Sequence, residues 1–105
     1  MGASWHPPHP AAFYRLFDPI RGNHLYTLSE EERDFAERLG YILEGVTGYA
    51  YPASNNYYGA NVPLYRARSN ATGRHFFTNS LTEYEDLPGL GFAQEGITAY
   101  LFPAF

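Results

Sequence analysis

The 105 residues contain no cysteine, so disulfide staples and thiolate chemistry are both excluded, and the fold has to hold by packing alone. Long apolar runs are missing too. None approaches the ~20 residues of a membrane helix, so no membrane insertion is expected. Charge is scarce, at 17% against a usual ~25%, and the positive sign is the scarcer, with seven Lys and Arg against 11 Asp and Glu. The net charge of −4 argues against nucleic acid as a partner, because binding it needs clustered basic side chains that displace counterions. The opening MGASWHPPHPAAF lacks a basic stretch followed by an apolar one and does not read as a secretion leader. Export would then require that a leader has been removed. A chain of this length has room for one domain and buries roughly two thirds of its unfolded surface, enough for a core without staples.

Aromatic side chains are abundant instead, with ten tyrosines and eight phenylalanines. Tyrosine joins an apolar ring to a polar tip and is favoured on recognition surfaces for that reason. The chain also repeats itself. Residues 13–52 and 64–103 align without a gap at an offset of 51, with 14 of 40 positions identical. The shared residues include Tyr14/Tyr65, Arg15/Arg66, Gly22/Gly73, His24/His75, Thr27/Thr78, Ser29/Ser80, Glu32/Glu83, Gly40/Gly91, Glu44/Glu95 and Gly45/Gly96.

Each copy has its own local grammar. FYRLF reads as a short aromatic strand, and Asp18-Pro19-Ile20-Arg21-Gly22 supplies the turn chemistry of a hairpin. The return strand is Asn23–Thr27, matched by 74–78. Ser29 and Glu32 form a capping box in which the serine oxygen accepts from the backbone while Glu32 reaches back, and Ser80 and Glu83 repeat it. The first helix is predicted over 30–39, with Phe35, Ala36 and Leu39 buried and Gly40 ending it in a left-handed conformation. Pro88-Gly89 should make the second helix shorter. Strands 41–43 and 47–51 follow, split at Glu44-Gly45. The expected class is α+β: two pseudo-two-fold-related ββαβ(β) repeats in one compact domain spanning 13–105. Residues 1–12, with Trp5, His6 and His9, are expected as an extended arm, and 53–63 as the loop between the repeats.

Tyr14-Arg15, Gly22-x-His24, Thr27-x-Ser29, Glu32, Gly40 and Glu44-Gly45, all repeated 51 residues on, with Tyr41 after Gly40 matched by Phe92, resemble a tandem repeat family of exported bacterial and fungal proteins. That family often sits beside hydrolase domains and has no assigned activity. A short free-standing chain of this kind also resembles small fungal fruiting-body lectins that bind α-galactosides. The resemblance implies galactose-type glycans as ligands. It implies an extracellular or cell-surface location, or leaderless cytoplasmic storage as in some fungal lectins. The family commonly places an aspartate directly before the histidine, where this chain has Asn23 and Arg74, so a site built on that carboxylate, such as a metal site, is not expected.

Arg15, His24 and Glu44, with Arg66, His75 and Glu95, are the chief candidate site residues. A guanidinium, an imidazole and a carboxylate kept in both copies would serve either as a charge-assisted network that holds strands together or as the lining of a pocket for sugar hydroxyls. As a glycosidase pair, Glu44 and Glu95 are unsuited, because an acid and a base need different environments and repeat-equivalent residues share theirs. No catalytic residue is assigned. A glycine after each glutamate suits a bulge or a turn. His6-Pro-Pro-His9 lacks the spacing of a helical metal pair, so no metal and no cofactor are expected. Asn55, Asn56, Tyr57 and Tyr58, with Asn61, offer diol-binding amides and flat rings for a pyranose, or else pack as an ordinary connecting loop. Asn70-Ala71-Thr72 is a glycosylation sequon that places the second hairpin turn at the surface.

The expected function is carbohydrate binding of lectin type without catalysis. Two sites per chain, or a homodimer, would supply avidity. The alternatives are a module that targets cell-wall polymer or another protein and, less favoured, a glycoside hydrolase.

Overall fold

Alternating aromatic and apolar residues in AAFYRLFD favour an extended strand, and β1 (Ala11–Asp18) forms one. Asp18 ends it. Its buried carboxylate accepts from the Ile20 N–H at 3.0 Å and from the Arg21 guanidinium at 2.8 Å. The Gly22 N–H donates to the Asp18 carbonyl at 2.8 Å, and Gly22 takes the positive φ of 65° that closes the turn. β2 (Asn23–Thr27) then runs back antiparallel to β1, with Tyr14 opposite Thr27 and Phe17 opposite His24. Ser29 caps α1 (Glu30–Arg38), and β3 (Ile42–Ala50) returns along the other side of β1 to give the sheet order β2-β1-β3. The second half repeats the plan with β4 (Val62–Ser69), β5 (His75–Thr78), α2 (Leu81–Asp86), a 3-10 turn (Leu87–Leu90) and β6 (Phe92–Leu101), in the order β5-β4-β6. The structure is a computed structural model and describes residues 10–52 and 62–102.

The expected α+β class is not what forms. Strands hold 54% of the described residues against 23% for helices, so the fold is mostly β, with two three-stranded antiparallel sheets in a sandwich-like arrangement. The helices are too short to make a layer. α1 buries only Ala36, while Phe35 and Leu39, expected in the core, are 54% and 62% exposed. α2 stops after six residues, where Pro88 introduces the 3-10 turn, and buries none of its own side chains. The layers are the sheets themselves. Phe13 and Ala50 of the first sheet pack with Ala99 of the second, flanked by Leu64 and Leu101, while Leu16, Leu25 and Ala36 form a smaller core inside the first half.

Two further expectations change. The strand breaks predicted at Glu44-Gly45 and its counterpart do not occur, because β3 and β6 each absorb the extra residue as a bulge and continue. Nor are the halves related by a two-fold. Asn23 of β2 bonds to His75 of β5, and Glu32 of α1 to Arg66 of β4. The reciprocal pairs, Arg74 with His24 and Glu83 with Arg15, are absent among the described residues. A two-fold interface would have to show both members of each pair. The first half presents one surface and the second a different one. The backbones of Tyr51 and Tyr100 exchange hydrogen bonds at 3.1 and 2.8 Å and join the ends of β3 and β6.

At the predicted boundaries, Ala11 and Ala12 belong to β1, and Val62 and Pro63 to β4. The first nine residues, with Trp5, His6 and His9, and residues 53–61 lie outside the described residues. Asn70 is exposed in the second hairpin turn, as the sequon implies. Among the described residues no helix is long and apolar enough to cross a membrane.

Candidate functional site

The bulge builds the site. Arg15 faces Gly45 and the next residue, Leu16, faces Leu43, which leaves Glu44 as the extra residue on β3. Gly45 has a φ of 117°, a left-handed value that side chains with a Cβ resist. The Glu44 carboxylate thereby meets the neighbouring strand, with Oε1 2.8 Å from Arg15 Nε. From β2, His24 brings Nε2 to 3.7 Å of the same oxygen, and the Phe17 ring lies against its imidazole with centroids 4.8 Å apart. The second half does the same. Gly96 has a φ of 91°, Glu95 meets Arg66 Nε at 2.9 Å, and His75 Nε2 lies 3.5 Å from Glu95 Oε1. Glutamate followed by glycine is therefore a bulge that aims a carboxylate at an arginine, one of the two roles the sequence left open.

The second cluster is closed by the first half. Arg66 Nη1 donates to Glu32 Oε1 at 2.9 Å, so one guanidinium holds two carboxylates. The sequence had Glu32 reaching back to complete its capping box. Only half the box forms: Ser29 Oγ accepts the Glu32 N–H at 3.0 Å, but the Ser29 N–H donates to Thr27 Oγ1 instead. That substitution frees the Glu32 carboxylate to cross to the other half. Burial pushes the Glu32 carboxyl up, yet the hydrogen bond and charge of Arg66 outweigh it and hold the group below the usual carboxylate range. Burial likewise opposes the charge of Arg66, and its two glutamate partners more than restore it.

Asn23 fastens the same junction. Its side chain, 2% exposed, accepts the His75 N–H at 2.6 Å and donates to Tyr41 Oη and to His75 Nδ1 at 2.9 Å each. Donation to Nδ1 fixes the neutral imidazole with its proton on Nε2, the nitrogen facing Glu95. Burial, partly offset by Glu95, pushes the His75 pKa down and agrees with that state. Thr98 Oγ1 donates to the Tyr26 carbonyl at 3.4 Å, and the Tyr26 and Phe77 rings meet edge-on. A cleft of about 370 Å³ lies along this seam, lined by Thr27, Ser29, Glu32, Pro52, Arg66, Glu95, Ile97 and Thr98.

The first cluster stays open. Arg15 is 44% exposed against 16% for Arg66, and His24 is 49% exposed against 12% for His75. Beside it lies a hollow of about 210 Å³ lined by Arg15, Glu44, Gly45, Val46 and Thr47, the repeat counterparts of cleft residues Arg66, Glu95, Ile97 and Thr98 with Gly45 added.

The sequence-predicted site residues thus fall into two groups, Arg15, His24 and Glu44 in one half and Arg66, His75 and Glu95 in the other. Asn55, Asn56, Tyr57 and Tyr58, with Asn61, lie outside the described residues. Sequence reasoning missed Glu32, Asn23 and Tyr41 as partners. The usable signal was the Asn23/Arg74 difference between copies at the position before the histidine. Among the described residues no group of three or more His, Asp or Glu side chains is placed to hold a metal ion.

No curated protein and no solved structure matches this chain. One family profile does match, over residues 2–102, which is nearly the whole sequence. The chain belongs to the family described as a domain of unknown function, DUF5648.

Proposed function

We propose that this chain is a carbohydrate-binding protein of lectin type, without catalytic activity, and that its site is the open cluster of Arg15, His24 and Glu44. The observation that carries the reading is the unequal use of one cluster built twice. In the second half it is covered by Glu32 and Asn23 and joins the sheets, while in the first no described residue covers it in this way. A fixed guanidinium and carboxylate offer donors and acceptors at set spacing to vicinal hydroxyls, and Phe17 beside His24 offers an aromatic edge. The sequence resemblance to α-galactoside-binding lectins supports galactose-type glycans as the ligands and an extracellular or cell-surface setting.

The test is a glycan array with labelled protein, followed by titration calorimetry of the best hit. Preference for terminal α-galactosides, lost in Arg15→Gln and His24→Ala, is the expected result. A blank array with folded protein would sink the reading.

A second reading has its own observation. Phe35, Leu39, Ile42, Val46 and Tyr49 of the first half are all at least half exposed, and an apolar surface of this kind suits a protein or polymer ligand. On that reading the chain is a targeting module, and a pull-down partner lost on Phe35→Ser and Ile42→Ser would identify it.

A further inference from the structure

The closed cluster shows what the open one is shaped to receive. Arg66 uses Nε for its own bulge glutamate and Nη1 for Glu32, both at 2.9 Å. Arg15 uses Nε for Glu44 in the same way, at 2.8 Å, and among the described residues no second carboxylate pairs with it. The repeat counterpart of Glu32 is Glu83, whose N–H is capped by Ser80 and whose carboxylate makes no ion pair among the described residues. The hollow beside Arg15 is lined by the repeat counterparts of Arg66, Glu95, Ile97 and Thr98, without the first-half residues, Glu32 among them, that complete the cleft. Two carboxylates on one guanidinium are tolerated in the second half, so the Glu44 charge does not bar another anion here.

We propose that the Arg15 hollow binds a carboxylate, and that the ligand bearing it is an acidic sugar of the uronate class. This rests on the carbohydrate reading above and adds to it. The sugar carboxylate would take the place beside the guanidinium that the Glu32 carboxylate takes on Arg66, leaving the ring hydroxyls to the rest of the hollow. Neutral galactosides would then occupy only part of the site.

Calorimetry or amide-shift titration with methyl α-galactoside and methyl α-galacturonide tests this on the full chain. The acid should bind about five- to tenfold tighter than the neutral sugar, the range of one charge-assisted hydrogen bond at a half-exposed site. That preference should shrink as salt is raised and vanish in Arg15→Gln. Lys at the same position should restore part of it, since a point charge attracts a carboxylate without forking onto it. Equal affinity for the two sugars in the wild-type chain overturns the uronate assignment and leaves the carbohydrate reading standing. Binding of neither sugar overturns both. Self-association that disappears in both Arg15→Gln and Glu83→Gln, without any preference for the acid, would give the hollow to a second copy's Glu83 and also overturn the assignment.

Discussion

Both halves build the same bulge and aim the same glutamate at the same arginine, yet the two clusters end in different surroundings. In the second half Arg66 and His75 are half-covered by contacts from α1 and β2, and with Glu95 they fasten one half to the other. In the first half Arg15, His24 and Glu44 face solvent. A motif repeated within a chain is free to hold the fold together in one copy and to bind in the other. Which copy fastens the halves is decided by residues outside the Arg-His-Glu cluster, here Asn23 and Glu32, which reach across to His75 and Arg66.

The largest expected break in the comparison is at Asn23. Asn23→Ala strands a buried amide and an imidazole nitrogen, a loss of about 2–4 kcal/mol from the unsatisfied groups. Arg74→Ala, at the equivalent position, removes one exposed bond to the Arg21 carbonyl and should cost below about 1 kcal/mol. Denaturant midpoints of the two variants give the contrast, and equal losses would mean the junction is not where the structure puts it.

Next comes the arginine pair. Arg66→Gln leaves two glutamates sharing a half-covered site without their cation, for about 2–3 kcal/mol. Arg15→Gln breaks an exposed pair worth below about 1 kcal/mol. Thermal unfolding separates them.

Smaller, and equal by design, are the bulge glycines. Nothing lies within 4 Å of a Cβ added at Gly45 or Gly96, so alanine meets only its unfavourable positive φ. Each should cost about 1–2 kcal/mol. Unequal costs would show that the two bulges are not the same structure.

The smallest effect is on pH. His75 has its pKa below the usual 6.5, so the unfolded chain takes up the proton first and the fold loses stability as pH falls below that value. Glu32, held low by Arg66, and Asp18, held low first by its hydrogen bond with Arg21, add a second loss below the carboxylate range. Unfolding midpoints followed from neutral to acid should fall in two stages, and His75→Gln should remove the upper one.

Much of this was legible in the sequence. The repeat at an offset of 51 gave the order of elements in each half, and Asp18 and Gly22 marked the hairpin, while glutamate before glycine suited a bulge or a turn and the expected strand break there does not form. The class was misjudged because a sound start signal at Ser29 and a stop at Gly40 say where a helix lies, not how much it buries. α1 is nine residues long and contributes one buried alanine. The packing of one half on the other was not legible at all. It depends on the Glu32 carboxylate, whose expected capping-box role is taken by Thr27 just as Thr78 takes that of Glu83, and on which half then offers it an arginine. Identical motifs suggested symmetry, but Asn23 can bridge to an imidazole where Arg74, longer and charged, makes a different bond.

The most direct test of the central claim is calorimetric titration of α-galactosides, neutral and acidic, into Arg15→Gln and Arg66→Gln under conditions where both are folded. Arg15→Gln should stay within about 1 kcal/mol of the wild-type stability and lose the sugar, and Arg66→Gln should unfold more easily and still bind it. If Arg66→Gln abolishes binding while Arg15→Gln binds as the wild type does, the roles of the two halves have been assigned the wrong way round.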